Sequence, residues 1–267
     1  VSNRRGWIGS LVLGGVAVTA ALVVGGSAWA QDAVVESRPG LSELSKQKRA
    51  AYRVPEEERE DALREVAAAY GRLAKDETRS LAVRCEAAFR AGEILRARKD
   101  VEAARAWFTS AFTWGEGGQG AEGEREFAAR AWLELAHIHR REGEVEEALA
   151  IYEELPRRFD DQRRTAAHAT TWRGKLMLDA EELEAAGDVL LGFADAFPEY
   201  PEEAVRNADR LAMAYLEGED EARAREVLAR VEAAMQRHVE GDGRVAESVR
   251  AALEKMRVRD HLRSDAG

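Results

Sequence analysis

The chain has 267 residues, with 40 Lys plus Arg against 50 Asp plus Glu and a net charge of −10 at neutral pH. Neutralising phosphates takes surplus cations, so a chain this acidic argues against nucleic acid as a partner. The single cysteine, Cys85, excludes an intramolecular disulfide and a cysteine-based zinc finger, and 45% hydrophobic with 34% charged residues describe one or two globular domains.

Arg4 and Arg5 precede an uncharged stretch from Gly6 to Gln31, which ends in Ser27-Ala28-Trp29-Ala30. A basic start, an apolar middle and small residues before a cut predict a secretory signal peptide over residues 1–30, cleaved after Ala30. Two other readings share these residues. One is an uncleaved membrane anchor, since about 20 apolar residues span a bilayer. The other is twin-arginine export through Arg4-Arg5-Gly6-Trp7-Ile8. No cysteine follows the stretch, so a lipid-bearing anchor is excluded. The leader, with an initial Val that reads as an alternative start codon, predicts a bacterial periplasmic or secreted protein. Residues 31–40, with Pro39-Gly40 and no apolar periodicity, read as a linker.

From Leu41 onward the chain is rich in Ala, Leu, Glu and Arg, and no run alternates apolar with polar residues. This predicts an all-α protein. A proline inside a helix costs about 3 kcal/mol. Pro39, Pro55, Pro156, Pro198 and Pro201 are therefore expected between helices. A pair of small residues 12 positions apart recurs as Gly92 and Ala104, Ala136 and Ala148, Gly174 and Ala186, and Ala212 and Ala224. Successive pairs are separated by 44, 38 and 38 residues. Each second small residue is followed four positions on by a large one: Phe108, Tyr152, Leu190 and Leu228. Leu95, His139, Met177 and Tyr215 stand three positions after the first. Small residues let two helices approach, and large ones fill the space between them. One further step back places Val66, Tyr70 and Leu73 in the same pattern.

Trp132, Leu135, Ala136, Ala148 and Tyr152 resemble the tetratricopeptide repeat, a helix–turn–helix unit of about 34 residues. His139 departs from the aromatic residue usual at its position. The resemblance implies a right-handed α-solenoid over residues 41–240, with approximate units at 41–75, 85–112, 129–156, 167–198 and 205–232. Residues 115–123 read as a glycine-rich insertion that explains the 44-residue step. Residues 244–267 read as a capping helix and tail, because solenoids need a polar outer end. Long units and the joint Phe197-Pro198-Glu199-Tyr200-Pro201 resemble tetratricopeptide proteins of the Gram-negative envelope. Those include outer-membrane assembly lipoproteins and Tol–Pal-associated periplasmic proteins.

No catalytic constellation emerges. His137 and His139 are two residues apart, so on a helix they face different ways and cannot share a metal. Arg84 and Arg90 near Cys85 favour a reactive thiol, and a small buried side chain is the plainer reading. The segment Gly115 to Gly123 lacks the Lys of a phosphate loop. Glu146-Glu147 and Glu153-Glu154 read as solvated helix faces. No enzyme activity, cofactor, metal or small-molecule substrate is expected.

In this family the first helix of each unit lines a concave groove. The resemblance places Phe89 and Arg96 in it, then Arg130, Leu133, His137, Arg140 and Arg141, then Lys175, and finally Arg206 and Met213. The remaining groove positions are Glu86, Glu93, Ala97, His168, Thr171, Leu178, Asp179, Asp209, Leu216 and Glu217. Six of these positions are basic and five acidic, on a chain of net charge −10. The expected function is a protein-interaction scaffold of the bacterial envelope. It would hold a protein or peptide segment carrying acidic residues, with Arg130, Arg140 and Arg141 as anchors. Contact with a membrane is expected only if the N-terminal segment stays uncleaved. The plainer reading has these arginines pairing with neighbouring glutamates. Phe89 and Glu93 stand where the eukaryotic carboxylate clamp has Lys and Asn, so that activity is not expected. An accessory subunit of an envelope enzyme and a self-associating structural component are the alternative functions.

Overall fold

The computed structural model describes residues 40–117, 123–239 and 244–264. The expected signal peptide, all of the linker before Gly40, residues 118–122 of the glycine-rich segment and the tail 265–267 lie outside the described residues. The described residues form eleven helices and no strand. They are α1 (Leu41–Ala51), α2 (Glu56–Ala74), α3 (Leu81–Ala97), α4 (Val101–Glu116), α5 (Glu124–Glu142), α6 (Val145–Arg158), α7 (Arg163–Asp179), α8 (Leu183–Ala196), α9 (Pro201–Glu217), α10 (Glu221–Val239) and α11 (Arg244–Ser264). None is long and apolar enough to cross a membrane.

The helices pair in sequence, α1 with α2 through α9 with α10, and each pair stacks on the next. Odd-numbered helices also touch one another, α3 with α5, α5 with α7 and α7 with α9. α11 packs on α9 and α10, burying Val249, Leu253 and Met256. This is an α-solenoid, whose core is a chain of local clusters rather than one ball. Two clusters make up that core, and Phe112, Trp132 and Ile151 pack against both. The Phe112 and Trp132 rings stack with centroids 4.9 Å apart, and Phe159 meets Trp132 edge-on at 6.0 Å.

The 12-residue pairs sit where each odd helix meets its partner. All eight small residues are buried. A Cβ on Gly92 would lie 2.7 Å from Phe108 Cε1, and one on Gly174 would lie 2.5 Å from Leu190 Cγ. Phe108, Tyr152 and Leu190 are buried and Leu228 is half-buried. Trp132 is half-buried, while Leu135 and Tyr215 are buried.

The turns obey the same register. Lys99, Gly143, Glu181 and Glu219 have φ of 65°, 83°, 61° and 61°, the left-handed region. They recur at the separations of the small pairs. One residue later, the amides of Asp100, Glu144, Glu182 and Asp220 donate to the carbonyls of Leu95, His139, Met177 and Tyr215 at 2.8–3.0 Å. These are Schellman stops, which satisfy the last carbonyls of one helix. Asp100 and Asp220 then cap the next helix, their carboxylates accepting from the amides of Ala103 and Arg223. Between α1 and α2 the chain instead passes through Tyr52–Pro55.

Three expectations need correction. Pro201 opens α9 rather than preceding it, at a first-turn position where no amide is needed. Pro156 lies inside α6 rather than after it. It falls in the last turn, where losing one amide costs the helix least. Gly115 and Glu116 belong to α4 rather than to a loop. Gly115 is buried because the start of α5 crosses it, and a Cβ there would collide with the Glu124 carbonyl.

Candidate functional site

Two clefts open along the odd-numbered helices. The first, about 560 Å³, lies between α3, α5 and the start of α7, over Phe89 and Leu133. The second, about 390 Å³, lies between the starts of α7 and α9 beside Tyr200, Pro201 and Arg206. Both are lined by Arg164 and His168.

Several expected groove contacts are occupied by the fold itself. Phe89 is only 2% exposed, with Phe127 and Phe108 rings 5.6 and 5.7 Å away. It is floor rather than contact surface, and buried Leu133 is the same. The reason is that α3 and α5 pack directly on each other, and an aromatic triad fills their seam. Arg130 lies 4.5 Å over the Phe89 ring and donates to Glu126 at 3.2 Å. It is therefore a poor free anchor. Arg96 pairs with Glu134 at 3.2 Å, and burial raises the Glu134 pKa against the pull of Arg96. Glu86 and Glu93 are held by Arg90 at 3.3 and 2.9 Å. Arg206 pairs with Glu203 at 2.5 Å, and Met213 is half-buried. Thr171 is buried and accepts from the Asn207 amide at 3.0 Å.

Another group is gathered around a residue outside the expected set. Trp172 on α7 has the Arg140 guanidinium 4.4 Å and the Lys175 ammonium 4.1 Å from its ring centroid. His137 meets its edge at 5.2 Å and shares a 2.6 Å hydrogen bond with the Tyr152 hydroxyl. Burial, then Arg140 and Arg141, pushes His137 down to about 4, so it is neutral at pH 7. Burial pushes Tyr152 up to about 12, against the pull of Arg140. The Lys175 pKa is lowered by burial, with Arg210 and Arg140 adding to it and Glu203 and Asp179 opposing it. Arg141 is exposed beside them. Among the described ion pairs, none involves Arg140, Arg141 or Lys175. Glu134 faces Arg141, and Glu203 and Asp179 face Lys175, all beyond ion-pair distance.

The position of Trp172 was within reach of the sequence. It lies 38 residues after Glu134 and 38 before Arg210, at the seam between successive odd helices. The groove register lies one position away, so the seam was passed over. Two inter-unit clamps were also missed. Arg125 donates to Asp161 and to the Arg158 carbonyl over the Phe159 ring. Arg163 does the same with Glu199, the Ala196 carbonyl and Phe197. These clamps lower the pKa of Asp161 and of Glu199, through the hydrogen bond from each arginine.

The nucleophile candidate does not stand. Cys85 is fully buried, and burial with Glu124 pushes its thiol up to about 11. His139 bonds Glu144 at 2.6 Å, away from His137.

The family model of the tetratricopeptide repeat matches residues 129–155, the unit formed by α5 and α6. One tetratricopeptide repeat therefore stands at α5 and α6, within a stack of similar helix pairs. The chain's fold is similar to the crystal structure of BtubC (BKLC) from P. vanneervenii, 14% identical, with a TM-score of 0.50 over 84% of this chain and 93% of that one. It is also similar to a crystal structure of a putative kinesin light chain from Podosopora anserina with nearly identical TPR-like repeats. There the identity is 15% and the TM-score 0.50, over 75% of this chain and 98% of that one. No curated protein matches in sequence. Tetratricopeptide-repeat proteins serve in general as protein-interaction scaffolds, through the extended surface that stacked repeats present.

Proposed function

We propose that this protein is a tetratricopeptide-repeat adaptor of the bacterial envelope. It holds a protein segment carrying acidic residues against the Arg140, Arg141, Lys175 and Trp172 surface. One observation carries the reading: three neighbouring cations lack a carboxylate partner on a chain of net charge −10. Their mutual repulsion is relieved by an acidic ligand, and the half-buried indole holds Arg140 and Lys175 in place. Arg96, Arg130 and Arg206 are already paired and frame the site rather than anchor it. Export rests on the leader pattern of residues 1–30.

Crosslinking and pull-down of the full-length protein from its host tests this, with wild type beside Arg140→Glu/Arg141→Glu. Both arginines reach the surface without ion pairs, so the variant is expected to fold and to lose the partner. Retention of the partner by a folded double variant sinks the groove reading. Finding the protein in the cytoplasmic fraction with residues 1–30 intact sinks the export reading.

A further inference from the structure

We propose that the surface around Trp172 receives the α1–α2 turn of a second copy of this chain. This rests on the reading of that surface as a docking site and names its occupant. The turn differs from those within the other four helix pairs. It lacks the left-handed stop and runs through Tyr52, Arg53, Val54 and Pro55. Tyr52 is 45% exposed and is the exposed large hydrophobic side chain among the described residues. Glu56, Glu57 and Glu58 follow it in the first turn of α2, all exposed. None of these three glutamates takes part in a described ion pair, whereas the next two acids, Glu60 and Asp61, are held by Arg64 and Arg98.

The two surfaces complement each other in kind. An exposed aromatic side chain with three unpaired carboxylates on one copy faces an indole with three unpaired cations on the other. Arg53 is the cation within the turn and leaves it net acidic. Tyr52 supplies the apolar contact that charges alone do not, and aromatic anchors dominate interface energetics. The overall charge of −10 opposes association at long range. At about 0.15 M salt the screening length is roughly 8 Å, so the local match decides. Docking is either reciprocal about a two-fold axis or one-way along an open chain, and both use the same two surfaces.

Sedimentation velocity of the full chain tests this at about 0.15 M salt and again near 0.5 M. Wild type is expected to associate with rising concentration, and less so at the higher salt. Glu56→Lys/Glu57→Lys/Glu58→Lys and Arg140→Glu/Arg141→Glu/Lys175→Glu are each expected to weaken self-association by roughly tenfold or more. Mixing the two reversed variants brings opposite charges together again and restores association. Tyr52→Ser, a change at an exposed site that leaves all charges in place, is expected to weaken it as well. Circular dichroism confirms that each variant is folded. A wild type that stays monomeric at roughly 100 μM, or folded reversed variants that associate as wild type does, overturns the proposal. So does a mixture of folded variants that stays apart. A monomeric wild type that still loses an envelope partner on Arg140→Glu/Arg141→Glu upholds the adaptor reading and overturns this one alone.

Discussion

Replacing Gly174 by Ala adds one methyl where two helices are closest. An alanine Cβ would sit 2.5 Å from Leu190 Cγ and overlap its Cδ2. Leu190 is buried, so it has little room to withdraw. Overpacking of this kind costs about 1–3 kcal/mol. The overlap involves both the branch carbon and a terminal methyl, which places it in the upper half of that range. Alanine returns about 1 kcal/mol through its better helix propensity. The net expectation is a loss of about 1–2 kcal/mol, read as a lower urea midpoint at unchanged slope. Gly192 provides the control. It lies within α8 with nothing within 4 Å of its would-be Cβ, so Gly192→Ala keeps the propensity gain and stabilises. The decisive measurement is a cycle with Leu190→Ala, which alone costs about 2–5 kcal/mol by opening a cavity. In that background Gly174→Ala meets no branched side chain and partly fills the space. Its effect should change sign, to a gain of about 1 kcal/mol. If Gly174→Ala is neutral or stabilising in wild type, or if its effect is the same in both backgrounds, contact with Leu190 does not set the spacing of α7 and α8.

Two further outcomes follow from the turns and from the histidine at the groove. Gly143 has φ 83° and open space around its would-be Cβ, so Gly143→Ala carries only backbone strain. It should lower stability by about 1 kcal/mol, and an unchanged thermal midpoint would count against the left-handed turn. His137 titrates near 6.5 when unfolded and is pushed down to about 4 when folded. Between those values the unfolded chain binds the extra proton, so stability is full above about pH 6.5 and falls as the pH drops toward 4. The His137 contribution to that fall is roughly 3 kcal/mol at most. His137→Gln should remove that part of the acid sensitivity, seen as a flatter plot of urea midpoint against pH than wild type. Parallel plots for the two proteins would refute it.

Much of the architecture was legible because its constraints are local and periodic. The pairs Gly92/Ala104 and Gly174/Ala186 mark helix crossings, since close approach forbids a side chain there. Periodicity alone could carry that message along the chain, with its 44, 38 and 38 spacing. Pro156 was misplaced because a proline is tolerated near a helix end as well as beyond it. Gly115 was taken for flexibility when it serves contact with the start of α5.

The site was legible only in part. Residue type and register brought Arg140, Arg141 and Lys175 to one surface and marked the excess of positive charge there. They could not say which arginines already had partners, because the Arg96–Glu134 pair joins residues on different helices 38 positions apart. Nor could they bring Trp172 under Arg140, or bury Phe89 beneath Arg130, since both depend on how closely odd helices pack. Sequence by itself determined the helices and the repeat, which rest on near-neighbour sterics. Tertiary structure decided which charges are free, because neutralisation is a property of distances across the stack and not of order along the chain.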